Sequence, residues 1–208
     1  MNWSFFQRRV CLTTLDSEWQ LAQTELRRVG LEVEKFQSLP DIGPHQSFNK
    51  SEREILCQFY LSDAETLLHL EDDCVFRELG HLEQALSELP DDWDIVYLGA
   101  NLVCWDTGDE SAPLPPQRYS PHLFRVFEAW TTHAIGYNRK CVYDFLAKQP
   151  ALSEIMFDNW LSTRLPELNA FCVAPMVAYQ RPRWSSIWQK NEIDDYTAIF
   201  EASEKRLA

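Results

Sequence analysis

Hydrophobic positions along this chain switch repeatedly between a period of two and a period near three and a half. Residues 9–15 form an apolar, β-branched run and predict a buried strand. Ser17, with Gln20 three positions on, has capping-box spacing, so a helix is expected from there to a stop at Gly30. Leu31, Val33 and Phe36 predict a second strand, 40–49 a loop, and 50–61 a second helix. Thr66-Leu67-Leu68-His69-Leu70 predicts a third strand that runs straight into Glu71-Asp72-Asp73. Residues 78–89 read as a helix with Leu79, Leu82, Leu86 and Leu89 on one face, and 94–99 as a fourth strand.

The second half is less regular. Residues 101–121 contain Gly108, Pro113, Pro115, Pro116 and Pro121, and are expected to form a long, flexible surface loop. Strands are expected near 124–130 and 133–137, helices over 139–148 and 153–165, and a last buried strand over 170–179. A terminal helix over 194–207 lies within the C-terminal segment 192–208. Strands alternating with helices at this spacing predict an α/β fold, a mostly parallel, Rossmann-like sheet flanked by helices. Its length predicts a single domain over 1–208.

The composition narrows the class. An apolar share of 45% fills a core and excludes a disordered chain. A net charge of −13 excludes a general binder of nucleic acid or of anionic membranes, since phosphate contacts need a basic field. The uncharged stretch 168–180 falls short of the roughly 20 residues that span a bilayer, so no transmembrane segment is expected, and no apolar signal region follows Met1. Cys11, Cys57, Cys74, Cys104, Cys141 and Cys172 never form C-x-x-C and mostly lie in apolar runs. They read as buried thiols in a reducing compartment, which predicts a cytoplasmic protein, free or peripheral at the inner face of a membrane.

Glu71-Asp72-Asp73 carries the most chemical information. Three carboxylates ending an apolar strand must face solvent or a cation, because an unpaired buried charge costs several kcal/mol. In an extended chain Glu71 and Asp73 point to one side and Asp72 to the other. Such a pair suits Mg²⁺ or Mn²⁺, which take oxygen ligands and bridge to substrate phosphates. A solvated strand exit or a helix cap uses the same residues. The position favours the cation, since ligands of open α/β sheets bind beyond the carboxyl ends of strands.

Leu67-Leu68-His69-Leu70-Glu71-Asp72-Asp73, followed by Trp93-Asp94-Ile95-Val96-Tyr97-Leu98-Gly99, resembles glycosyltransferase family 25. That family includes lipooligosaccharide and collagen galactosyltransferases, and its pattern is E-D-D followed by W-D-I-V-x-L-G. Ala134-Ile135-Gly136-Tyr137, Asp158 and the stretch from Pro175 through Gln180 to Ser185-Ser186-Ile187 are similar to its later segments. Two departures stand out. Thr13-Thr14-Leu15-Asp16 replaces the family's N-L-x-x-R-x-x-R, and Ser51-Glu52 stands where the family has Ser-His.

The resemblance implies a GT-A-like fold and a metal-dependent hexosyltransferase. It would move galactose or glucose from a UDP-sugar to a hydroxyl of a glycan, lipopolysaccharide glycans included, or of a protein. It further implies Mn²⁺ or Mg²⁺ held by Asp73, with Glu71 and Asp72 beside it. Glu71 and Asp72 would also meet the donor, together with Ser51. Inversion at the sugar needs a carboxylate base, and Asp158, in the apolar context Ile155-Met156-Phe157-Asp158-Asn159-Trp160, is the candidate, with a helix cap as its alternative.

Thr13 and Asp16, past the first strand, are candidates to meet the nucleotide base. Arg181 and Arg183 sit in a basic, tryptophan-containing stretch that reads either as a lid over the diphosphate or as a packed turn. Asp94 and His133 read as structural. Two other classes compete: a GT-A-like binding or scaffold protein without turnover, and a nucleotidyltransferase. The second lacks a Gly-rich phosphate loop here.

Overall fold

The first strand, β1 (Arg8–Thr13), sets the pattern of the molecule: Val10 and Leu12 enter one hydrophobic core, and Cys11 enters another on the opposite face. The computed structural model describes residues 3–41, 43–103, 114–148, 155–182, 184–185, 190–191 and 195–208. Helix α1 (Asp16–Arg28) has Leu15 at its N-cap and no side-chain cap, so Ser17 lies inside it and the capping box does not form. It ends as predicted at Gly30, whose φ of +64° suits a residue without a Cβ, and Leu31 N closes the turn on Leu26 O at 2.9 Å. After β2 (Glu34–Gln37), helix α2 (Pro44–Tyr60) starts earlier than its periodicity predicts. Pro44 fits its first turn, where a missing N–H costs nothing.

Next come β3 (Thr66–Glu71), β4 (Cys74–Phe76), α3 (Leu82–Ser87) and β5 (Ile95–Tyr97). Part of the expected 101–121 loop is a strand, β6 (Gln117–Arg118), and residues 104–113 of it lie outside the described residues. The chain continues with β7 (Leu123–Arg125), β8 (Ala134–Asn138), α4 (Arg139–Lys148), α5 (Phe157–Arg164) and β9 (Ala170–Val173). The single strand expected over 170–179 is two. It breaks at Pro175, which has no N–H for a ladder, and resumes as β10 (Ala178–Gln180), paired with β4 instead of the main sheet. A short ribbon, β11 (Trp184–Ser185) with β12 (Lys190–Asn191), precedes α6 (Asp195–Arg206).

The main sheet has the order β2-β1-β3-β8-β5-β9-β7-β6. β8 and β7 run against the other six strands, so the sheet is mostly parallel with one antiparallel strand inserted at its centre. Helices α2, α4, α5 and α6 cover one face and α1 and α3 the other. β1, β3 and β5 all end at one edge of the sheet, and β8 starts from that edge. The carboxyl ends of three strands and the loop before β8 therefore converge there.

The five described cysteines are free thiols, and four are buried. Among the described residues no helix is long and apolar enough to cross a membrane.

At the far edge, Glu88 pins the turn before β7. Burial alone would raise its carboxyl. Hydrogen bonds from the Ser120 hydroxyl, the His122 ring (2.8 Å) and the His122 amide (3.0 Å) outweigh that and hold it at about 2. A depressed carboxylate stabilises the fold above its unfolded pKa near 4.5 and loses that contribution as pH falls toward 2. Glu88→Gln is therefore expected to cost about 1–2 kcal/mol at pH 7. The difference in Tm from the parent should shrink steadily between pH 5 and pH 2.5; a constant difference would contradict this account.

Candidate functional site

Glu71 ends β3 in the middle of the sheet, and Asp72 and Asp73 form the turn into β4. The alternation expected of an extended chain therefore stops at Glu71. The three carboxylates reach three different segments. Asp72 Oδ2 accepts from Thr13 Oγ1 at 2.7 Å and from Thr14 N at 3.1 Å, at the end of β1. Asp73 Oδ2 accepts from Gln180 Nε2 of β10 at 3.2 Å. Glu71 Oε1 accepts from Thr132 Oγ1 at 2.7 Å, in the loop before β8. Asp72 and Asp73 are both 1% exposed, so they lie within the edge of the sheet and not on a solvated strand exit.

The same loop reaches α5. Thr131 has a φ of +73°, an outlier for a β-branched residue that costs about 1–3 kcal/mol. Its backbone lies against the Asp158 carboxylate, while its neighbour Thr132 bonds Glu71. Residues 131 and 132 thus tie the base candidate to the end of the acidic strand. Burial raises the Asp158 carboxyl above its ordinary range, and backbone hydrogen bonds, that of Thr131 among them, oppose the rise. His133, fully buried, has Nδ1 3.1 Å from Thr131 Oγ1, and burial lowers its ring to about 4, so it is neutral and structural, as the sequence predicts.

Beneath Glu71 and Asp158 lies a buried pair that the sequence reading did not assign to the site. Glu52 of α2 is fully buried, with Oε1 3.2 Å from His69 Nε2 of β3 but out of line for a hydrogen bond. Burial, then the Glu71 and Asp158 carboxylates, push Glu52 well above the usual range, and burial lowers His69 to about 3. Burial thus favours the neutral form of each partner. The Tyr137 hydroxyl of β8, also buried, is raised by burial and by Glu52. The signal was present: an acid on the apolar stripe of Ile55, Leu56 and Phe59.

The other predicted residues divide. Thr13 and Arg181 are at the site. Arg181 N donates to Asp73 O at 2.9 Å, and its guanidinium reaches Asp72 O at 3.1 Å and Glu18 Oε2 in the first turn of α1. Asp16 is drawn away, exposed and paired with Lys35 at 3.0 Å. Ser51 is buried, receiving Leu39 N at 2.9 Å and donating to Ser47 O at 2.7 Å, so it braces the chain after β2 and presents no hydroxyl to a ligand. Arg183 lies outside the described residues. Asp94 sits at the opposite edge, where Oδ2 accepts from Asn169 N at 2.9 Å, the structural role expected.

No three histidine, cysteine or acidic side chains among the described residues form a metal cage. Mg²⁺ needs no such cage, since it binds through one or two carboxylates and keeps its other positions for water and substrate phosphate. The hard oxygen donors of Asp73 and Glu71 fit such an ion, with Asp72 engaged in fixing the end of β1.

No protein-family model matches the chain, and no curated protein does. Solved structures of similar shape include A197 from STIV, at 16% identity over 88% of this chain and 92% of that one, with a TM-score of 0.53. They also include S. aureus TarS 1-349 in complex with UDP-GlcNAc, at 15% identity over 92% and 63% with a TM-score of 0.49. A third is the inositol-1-phosphate CTP transferase from T. maritima, at 14% identity over 95% and 78% with a TM-score of 0.41. At such identities the likeness concerns the fold alone, and the layered, mostly parallel α/β architecture is the one expected from the sequence.

Proposed function

We propose that this chain is a metal-dependent glycosyltransferase of the family 25 kind, moving a hexose from a UDP-sugar to a hydroxyl of a glycan or protein acceptor in the cytoplasm. One observation carries the reading. A strained two-threonine segment brings a carboxylate with a raised pKa, Asp158, to the acidic end of the central strand, at the edge where α/β sheets bind ligands.

Asp73 and Glu71 would hold Mn²⁺ or Mg²⁺, which neutralises charge developing on the departing diphosphate. Asp72 fixes Thr13 and Thr14, and so the β1 end against which the nucleotide would lie. Arg181 hangs between Glu18 and the Asp72 carbonyl, within reach of a diphosphate that displaces Glu18. Asp158 takes the acceptor proton as the acceptor oxygen bonds to the anomeric carbon and the bond to UDP breaks, inverting that centre.

Calorimetric titration with UDP and Mn²⁺ tests the donor half. Asp73→Asn, which keeps shape and the Gln180 contact but removes charge, should weaken UDP binding at least tenfold with metal and leave it unchanged without. Equal binding in both proteins removes Asp73 from the metal site. A second reading, a binding protein without turnover, draws on the hydrogen bonds that already engage each of the three carboxylates. It predicts that UDP binding, if any, ignores Mn²⁺.

A further inference from the structure

Behind the acidic turn the structure holds a cleft of about 350 Å³ between the β4–β10 ribbon and α6. Pro175, Tyr179 and Phe200 form its apolar floor, and Arg77, Thr197 and Glu201 stand around it. Gln180 belongs to both places: it lines the cleft and its amide donates to Asp73. The cleft is therefore one side chain away from the carboxylate proposed to hold the metal.

The walls are built, not incidental. Glu204 Oε1 receives the Tyr179 hydroxyl at 2.6 Å and Met176 N at 2.9 Å, which clamps the chain after β9 onto α6. The Arg77 guanidinium lies over the Tyr179 ring, 4.3 Å from its centre. The Gln180 Oε1 oxygen is buried without a hydrogen-bond partner. Two cations, Arg77 and Lys205, are matched by two acids, Glu201 and Glu204, so the lining offers no net positive field to a phosphate. It offers donors (Arg77, Lys205, Thr197) and the Glu201 carboxylate as acceptor above an apolar floor. Hydroxyl groups that both donate and accept, carried on a ring with apolar C–H faces, satisfy such a lining. The volume lies at the lower end of the roughly 300–1,000 Å³ of small-molecule sites, which suits one sugar ring and not a long chain.

We propose that this cleft binds the ring of a neutral glycoside and serves as the acceptor subsite. The acceptor role rests on the donor reading of the acidic turn; affinity for a glycoside does not. The test is saturation-transfer NMR and titration with methyl β-galactoside and methyl β-glucoside, in the parent protein, in Thr197→Trp and in Glu201→Gln. Thr197 is exposed on α6, so a tryptophan there fills the cleft without disturbing the core. Glu201→Gln removes one acceptor charge and leaves the shape. One or both glycosides should bind the parent with millimolar affinity and lose at least tenfold in each variant, while UDP binding with Mn²⁺ stays within twofold. If UDP binds and neither glycoside does, or if glycoside binding ignores both variants, the cleft assignment falls and the donor reading stands. If glycosides bind through the cleft and UDP does not bind, the sugar site stands and its acceptor role falls.

Discussion

Asp158→Asn should lower the rate of sugar transfer by about 10²–10⁴-fold, the range for losing a general base, while UDP binding with Mn²⁺ stays within twofold. An amide keeps the size of the carboxylate and fits the same place beside the Thr131 backbone, so the site keeps its shape. What it cannot do is take the acceptor's proton. The loss should therefore fall on kcat and spare KM for the donor. The pH profile gives a second readout. A base must be ionised to act, and burial raises this carboxyl above the ordinary aspartate value of 3.8. Transfer should fall as pH drops through that raised value, with an acid limb displaced upward from an unperturbed aspartate. In Asp158→Asn the residual rate should lose that limb. A variant with full activity, or one that loses UDP binding in parallel, would remove Asp158 from the base's role.

The sequence made this site legible where the information is local. Apolar periodicity located β1, β3, α4 and α6, Gly30 marked the end of α1, and Glu71-Asp72-Asp73 stood at a strand's carboxyl end as the pattern of residues 66–73 implied. What stayed hidden depends on contacts distant in sequence or on backbone geometry. Nothing in residues 133–137 encodes that β8 runs antiparallel between β3 and β5, yet that direction delivers Thr131 and Thr132 to the site. The left-handed Thr131 has no residue signature, since a threonine avoids that region unless its surroundings impose it. Asp16 follows the first strand, where a nucleotide base would lie, but Lys35 on the neighbouring strand claims it. In the sequence Glu52 stands out only as a departure from a motif; its place beside His69 depends on how α2 lies over β3.

Gly99 closes the W-D-I-V-x-L-G run and should be less replaceable than Gly136 of β8, where the nearest atoms to an added Cβ belong to the Phe6 and Val96 side chains. A Cβ there would lie 1.8 Å from the Ala178 carbonyl oxygen, 2.8 Å from its carbon and 3.3 Å from His133 Nε2. The first two are backbone atoms with little freedom, because Leu98 O accepts from Val177 N at 2.9 Å and from Ala178 N at 3.1 Å. One added methyl must push β10 off β5's end, against two hydrogen bonds and a buried histidine. Overpacking of ordinary cores costs about 1–3 kcal/mol, and a clash with fixed backbone belongs at or above the top of that range. Gly99→Ala should therefore lower Tm by roughly 6–12 °C, taking 2–4 °C per kcal/mol for a chain of this size. Gly80→Ala is the control: a Cβ there meets nothing within 4 Å, so its Tm should move by less than about 2 °C. The defect also has a direction. β10 carries Gln180 to Asp73, so displacing it should weaken UDP binding with Mn²⁺ in whatever fraction of Gly99→Ala remains folded, and Gly80→Ala should bind as the parent does. Equal Tm values for the two variants would mean that β10 yields to the methyl group. The close approach at Gly99 would then not be what fixes Asp73.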